Sequence, residues 1–353
     1  MHTGRNVIIL AFRRKVISMT NYQPSLSTPV LIFALCMGAL TLVLMLVCMP
    51  ALIRYLHKLK FGQTEREEGL ASHKAKTGTP TMGGLAFLVI PFAVYAIFSL
   101  FSPFGWTFTT AILWLAYLGF GLIGFVDDYL IVVRRSNEGL KPWLKFGLQS
   151  VLALVLTFLY MHNNTTDILL PGRVSWLVPG WLFVILSYFM YTGTTNAVNL
   201  SDGVDGLCAG LCSITFIPFL LCMIWEGNND GAAILFMVIC ALLGYLHFNI
   251  HPAKVFMGDT GSLALGGLLA AAAMTTKFEL LLLVAGLVFI AEAVSDIIQV
   301  LYYKKTHKRI FLMAPLHHHF EKKGWSEMKV CITFWTWDFA FGVVSVILAL
   351  LSL

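Results

Sequence analysis

Charge is what this sequence lacks most. Of its 353 residues only 12% are Asp, Glu, Lys or Arg, against roughly a quarter in a soluble domain. A soluble chain of this length could not hide the 58% that are hydrophobic. The bilayer is the solvent that fits. Cysteine chemistry is missing too. The seven cysteines (Cys36, Cys48, Cys208, Cys212, Cys222, Cys240, Cys331) lie mostly in apolar runs, and none forms a C-x-x-C pair. That speaks against a disulfide framework or a zinc site and for buried small hydrophobes. There is no H-E-x-x-H, no repeat of fixed period and no low-complexity tract. Nothing points to nucleic acid as a partner.

What the sequence does have is long apolar runs. They fall at about 29–53, 84–101, 107–126, 144–161, 176–193, 207–225, 231–248, 262–276, 279–301 and 330–353. Each is long enough to cross a bilayer, or nearly so. The expected fold is therefore all-α, a polytopic membrane protein with about ten transmembrane helices. The 262–276 run is short and rich in Gly and Ala, which predicts close packing against other helices. Residues 29–353 read as one integral-membrane domain. Residues 1–28 read as an N-terminal extension, disordered or lying at the interface.

Lys and Arg set the sidedness. The loops near 54–82, 127–145, 194–206, 249–261 and 302–329 carry 18 of the 24, and the opposite loops carry only Arg173 and Lys277. The first set is read as cytoplasmic, and ten spans then put both termini outside. The basic N-terminus (Arg5, Arg13, Arg14, Lys15) runs against that placement. A start at Met19 or an interfacial helix would each reconcile it.

Carboxylates at the membrane edge are expensive and are functional suspects by default. Asp127 and Asp128 end the third span, Asp202 and Asp205 lie in the third cytoplasmic loop, and Asp259 lies in the fourth. Capping of helix N-termini accounts for one or two such residues. Five on one side repel one another unless a cation or substrate offsets them.

Each loop has its own chemistry. "GTPTMGG" (Gly78 to Gly84, with Thr79) puts glycines and hydroxyls before a helix, an anion cradle or simply a loop with a helix start. Lys74 and Lys76 lie just upstream. The Asp127–Asp128 pair suits Mg²⁺ held together with substrate phosphate. Asn199, Asp202 and Asp205 recur every three residues, which on a helical turn gives one oxygen-bearing face. The spacing is not that of an EF-hand. In "HFNIHPAKVFMGDTGS" (His247 to Ser262), Asn249 could hydrogen-bond a base edge or a phosphate, and Phe256 could stack on a flat ring. Gly258 and Ser262 flank the lone Asp259. In "PLHHHFEKKGWSE", His317, His318 and His319 cannot easily converge on one metal, because adjacent side chains point apart. They suit phosphate binding or proton transfer. Glu292, Asp296 and Gln299 share a helix face that should point inward. Asp338 stands alone and reads as a helix contact.

In order along the chain, these motifs resemble the phospho-N-acetylmuramoyl-pentapeptide transferases. The D-D pair, the N-x-x-D-G-x-D-G stretch and the G-D turn are shared with the wider polyprenyl-phosphate aminosugar-phosphate transferases. "GTPTMGG" and "PLHHHFE" resemble the muramoyl branch. The resemblance implies transfer of phospho-N-acetylmuramoyl-pentapeptide from its UDP derivative to undecaprenyl phosphate. The products would be lipid I and UMP, the cofactor Mg²⁺, and the place a cytoplasmic cleft in the inner membrane. A homodimer is the assembly the family suggests. It also implies Asp259 as the metal ligand. Asp127, Asp128, His317, His318 and His319 would be catalytic. Lys74, Thr79, Asn199, Asp202, Asp205, Asn249, Phe256, Gly258, Ser262, Gln299 and Ala314 would bind substrate. One position departs from the pattern. The family carries Lys three residues after the second Asp, and here that residue is Ile131, with Arg134, Arg135, Lys141 and Lys145 nearby.

Repulsion between two phosphate-bearing reactants is the obstacle, so positioning and charge neutralisation should carry the catalysis. A lipid phosphate is largely dianionic at pH 7, leaving a base little to remove. Direct attack is favoured over a covalent route through Asp259, because a metal-bound carboxylate is a poor nucleophile. A transporter is the rival outside enzymes, but it would hold its carboxylates near the bilayer midplane. A sister transferase for another UDP-aminosugar is the rival within them, and the three histidines speak against it.

Overall fold

A computed structural model describes residues 27–59, 78–134, 139–170 and 174–352. Most of the expected N-terminal extension, and Lys74, Lys76, Arg135 and Arg173, lie outside the described residues. In chain order the elements are α1 (Thr28–Lys58), α2 (Gly84–Phe98), α3 (Phe108–Arg134) and α4 (Pro142–Asn163), then a hairpin, β1 (Asp167–Leu170) and β2 (Val174–Leu177). There follow α5 (Gly180–Leu200), α6 (Leu207–Trp225), α7 (Asn229–Asn249), α8 (Gly258–Thr275), α9 (Leu281–Ala285), α10 (Leu287–Thr306), α11 (Leu316–Lys322) and α12 (Glu327–Ser352).

A mostly helical chain is what the bilayer demands, because a helix satisfies its backbone groups internally. Six helices are long and apolar enough to cross a membrane: α1, α3, α4, α6, α7 and α12. Helix α2 is apolar but shorter. Pro50, Pro91 and Pro218 sit inside α1, α2 and α6, as membrane helices tolerate. Leu31, Val47, Val151, Phe158, Phe339 and Leu351 are exposed on α1, α4 and α12. In water these would be liabilities; in lipid they face their own solvent.

Helix α8 forms the centre. Every residue from Thr260 to Met274 is buried. It packs most extensively against α3, then α5, then α2 and α6. Its run of Gly and Ala permits that approach. The closest contact is at Gly124 of α3, where an added Cβ would lie 2.0 Å from the Asp259 carbonyl oxygen. Backbone meets backbone there, and this fixes the height at which α3 presents its aspartates to α8.

Four boundaries differ from the sequence expectation. Helix α3 runs on to Arg134, so Asp127 and Asp128 lie within the helix rather than at its end. Helix α8 begins at Gly258, which puts Asp259 in its first turn. The apolar run at 279–301 is broken at Gly286 into α9 and α10. The run expected to start at 176 begins instead as strand β2. Asp167 pairs with Leu177 and Leu170 with Val174 across the antiparallel hairpin. Alternating Val, Trp and Leu served the strand there, and their hydropathy alone mimicked a span.

Candidate active site

The site grows from the first turn of α8. Gly258 adopts φ +69, a left-handed conformation that costs glycine little. It turns the chain so that the first amides of α8 point at Asp128. Asp128 Oδ1 accepts the Asp259 N–H at 3.1 Å. Its Oδ2 accepts the Thr260 N–H at 2.9 Å and the Thr260 hydroxyl at 2.6 Å. A carboxylate from another helix thus satisfies donors that α8 cannot satisfy itself. It also sits where the helix dipole favours negative charge.

Asp127 points elsewhere, since neighbours on a helix diverge by about 100°. Its Oδ1 accepts the Leu140 N–H at 2.7 Å, and its Oδ2 lies 3.6 Å from Lys145 Nζ. The adjacent pair therefore does not act as one ligand unit. Asp128 is tied down by three hydrogen bonds, and Asp127 turns to Lys145 and the Leu140 amide.

Asp259 is the meeting point. Its Oδ1 accepts the Asn199 amide at 2.7 Å, and its Oδ2 is ion-paired with Lys145. The same Asn199 nitrogen donates to Ser262 Oγ at 2.8 Å. Side chains of α3, α4, α5 and α8 so converge on one small volume. Lys145 is about one-fifth exposed there. Of the basic residues that follow Ile131, Lys145 is the one ion-paired with these carboxylates among the described residues. Its signal in the sequence was a lysine one turn into an otherwise apolar helix.

The expected one-face trio of Asn199, Asp202 and Asp205 separates. Only Asn199 lies on the helix; residues 201–206 form a turn. Asp205 is buried and accepts from the Ala253 N–H at 2.9 Å and stands 3.1 Å from His251 Nδ1. His251 is also 3.5 Å from Glu327, and the Asp205 N–H donates to Glu327 at 3.2 Å. This group latches the turn, the 250–257 loop and the start of α12 together. Asp202 is half-buried on the same turn. Asn249, expected at a base or phosphate, is also a fastener. Its Oδ1 accepts from Gly206 N–H at 3.1 Å and its Nδ2 donates to the Val255 carbonyl at 2.9 Å.

The "GTPTMGG" amides are committed in the same way. Gly83 N–H donates to the Phe256 carbonyl at 2.8 Å, Gly84 N–H to that of Met257 at 3.0 Å, and Phe256 N–H to that of Pro80 at 2.9 Å. The free-amide anion cradle is therefore not formed by Gly83 and Gly84. The segment braces the Phe256 loop instead, leaving Thr79 and Phe256 half-buried. Gln299 organises another loop. It accepts from the Ile310 and Phe311 N–H groups, each at 3.1 Å, and donates to the Phe311 carbonyl at 3.2 Å. Ala314 follows that loop, half-buried.

The three histidines have three different partners. His317 Nδ1 lies 3.1 Å from Glu292, and His318 Nδ1 lies 2.7 Å from Glu321. His319 Nδ1 accepts the Leu312 N–H at 3.0 Å, which fixes its proton on Nε2. Burial and the nearby Lys323 hold the His319 imidazole below the usual histidine value.

Comparison with known proteins agrees with this geometry. Residues 110–277 match the model of glycosyl transferase family 4, and residues 76–88 match signature 1 of the phospho-N-acetylmuramoyl-pentapeptide-transferases. A phospho-N-acetylmuramoyl-pentapeptide-transferase of Heliobacterium modesticaldum is 47% identical over 85% of this chain and 93% of its own length. That of Shouchella clausii is 48% identical over 84% of this chain and 91% of its own. That of Bacillus subtilis is 45% identical over 90% of this chain and 97% of its own. The chain belongs to the phospho-N-acetylmuramoyl-pentapeptide-transferase family. Within this transferase, Asp127, Asp128, Asp259, Asn199 and Ser262 come together, joined by Lys145 and Thr260. Asn249, Asp205, Gln299 and the glycines of "GTPTMGG" form the frame that holds them. Thr260 escaped sequence reasoning because a threonine next to an aspartate is too common to mark.

Proposed function

We propose that this protein transfers phospho-N-acetylmuramoyl-pentapeptide from UDP to undecaprenyl phosphate, giving lipid I and UMP in cell-wall synthesis. It crosses the inner membrane about ten times, with both termini outside and the cleft open to the cytoplasm. The observation that carries this reading is the convergence of Asp127, Asp259, Lys145 and Asn199 from four helices. Family membership supports the substrate pair, and the Lys and Arg distribution supports the sidedness.

The donors around Asp259 suit Mg²⁺. Asp127 and Asp259 share Lys145 as counter-ion, and hard carboxylate oxygens are what Mg²⁺ takes. Asp259, with Asp127 beside it, would hold the ion. Bound there, Mg²⁺ supplies charge neutralisation for the diphosphate.

The chain's own residues do the rest. Asn199 and Lys145 fix the Asp259 carboxylate in orientation. Lys145 adds a positive charge beside the two phosphates, where a water-poor setting strengthens it. The lipid phosphate is already largely dianionic, so Asp127 acts through position and field rather than by removing a proton. An oxygen of the lipid phosphate attacks the sugar-linked phosphorus. The bond from that phosphorus to the bridging oxygen breaks, and UMP leaves with the electron pair. Asp128 keeps α8, and with it Asp259, in register. The 201–206 turn, Phe256, Gln299 and Ala314 border the nucleotide side, and His318 and His319 reach the pyrophosphate or sugar.

The test is release of UMP from UDP-N-acetylmuramoyl-pentapeptide by purified protein. Release that requires both Mg²⁺ and undecaprenyl phosphate is expected. Release without the lipid, through a trapped phospho-muramoyl enzyme, would replace direct attack by the covalent route. No release with any Mg²⁺ concentration would remove the assignment.

A further inference from the structure

We infer that Glu292 is a positioning residue that acts through His317, and that together they seat the 201–206 turn on the nucleotide side of the site. The inference rests on the transferase reading given above and adds to it a partner for the first histidine.

Glu292 and His317 are both 0% exposed. Glu292 lies on α10 and His317 in the first turn of α11. The carboxylate takes two hydrogen bonds from this one residue. The His317 main-chain N–H donates to it at 3.2 Å, and ring Nδ1 donates at 3.1 Å. With Glu292 as the acceptor of this hydrogen bond, the ring proton sits on Nδ1. Ring and backbone are held at once, which leaves His317 no rotational freedom.

Nε2 is then the exposed end of the ring chemically, yet it is buried and has no hydrogen-bond partner. It points at Gly203, where an added Cβ would stand 2.3 Å from it. Gly203 belongs to the turn that carries Asp202 and Asp205. The imidazole thus forms the floor on which this turn rests, and Glu292 sets the height of the floor. His318 and His319 have no such role, since each is half-buried with a partner of its own. Packing alone does not explain Glu292. A buried carboxylate with no Lys or Arg bonded to it among the described residues is costly, and an apolar side chain would fill the same space more cheaply.

The experiment is a double-mutant cycle read in steady-state kinetics. Glu292→Gln keeps the shape but turns one acceptor into a donor facing N–H groups. His317→Asn keeps a donor at the depth of Nδ1 and removes Nε2. Each should raise KM for UDP-N-acetylmuramoyl-pentapeptide by about tenfold while KM for undecaprenyl phosphate stays within about twofold. The double variant should be no worse than the worse single, because both break one unit. Gly203→Ala should act like Glu292→Gln in the wild-type background and add little in His317→Asn, where the clashing Nε2 is gone. This arm leaves Glu292 in place and decides the matter if Glu292→Gln does not fold. Additive effects, equal shifts in both KM values, or a wild-type KM for Glu292→Gln would overturn the inference. Wild-type protein that releases no UMP would instead remove the transferase reading and the inference with it.

Discussion

Helices α6 and α8 carry acidic residues at both ends, and the two ends are built differently. At one end, Asp205 precedes α6 and Asp259 lies in the first turn of α8. At the other, Glu226 closes α6 and Glu279 follows α8. Asp205, Asp128 and Asp259 each receive hydrogen bonds from other segments, and Asp259 also has Lys145. Both carboxylate oxygens of Glu279 are buried without a hydrogen-bond partner. Among the described residues the cation nearby, Lys277, is turned to Asp167 at 2.5 Å and Thr165 at 2.9 Å. Acidic residues at a membrane edge therefore do not make a site by themselves. A site forms where other helices bring donors and a cation to them.

The hardest way to break that comparison is to turn one carboxyl into an amide at each end. Asp259→Asn should lower kcat for UMP release by about 10²- to 10³-fold, the usual loss when one preorganised electrostatic group goes. Glu279→Gln makes the same carboxyl-to-amide change and should leave kcat within about twofold of wild type. Equal losses at the two ends would mean that the difference in wiring has no functional meaning.

A smaller effect tests the wiring itself. Thr260→Val keeps the shape of Thr260 and removes its 2.6 Å hydrogen bond to Asp128. Two backbone hydrogen bonds to Asp128 remain. The cost should be about 1–3 kcal/mol, seen as a lower Tm in detergent with kcat reduced less than in Asp259→Asn. A Tm equal to wild type would show that Asp128 does not need its side-chain donor.

Much of this was legible in the sequence, and the exceptions are instructive. The apolar runs located the helices, because a span must be about 20 residues long whatever it packs against. They could not tell a strand from a helix at 176, where the residues suit both. Asp127, Asp128 and Asp259 stood out by charge in an apolar chain. Their division of labour did not, since it depends on Gly124 letting α3 approach α8 and on Gly258 turning the chain. Asn249 and Gln299 were expected to face substrate, and in the fold both hold backbone groups. A polar side chain beside a site looks the same in sequence whether it touches the ligand or holds the loop that does. Lys145, Thr260 and Glu292 needed the fold, because their partners lie far away in the chain.

The gentlest test concerns the unwired end and turns on pH. Burial pushes the Glu226 carboxyl up to about 8 from 4.5; nearby Lys277 works against this and Glu279 adds to it. Tyr160 and Cys222 are the other titratable groups that feel its charge. The folded protein therefore holds a proton on Glu226 that the unfolded chain has released. Stability from this group is fully present below about 4.5 and is lost as pH rises to about 8. Glu226→Gln cannot titrate. Its Tm should match wild type at the acid end of that window and exceed it by a few degrees at the alkaline end. Asp259, paired with Lys145 and bonded to Asn199, should give no such gain on amidation. Parallel Tm curves for wild type and Glu226→Gln would place the proton elsewhere, and the two ends would then differ less than their hydrogen bonds suggest.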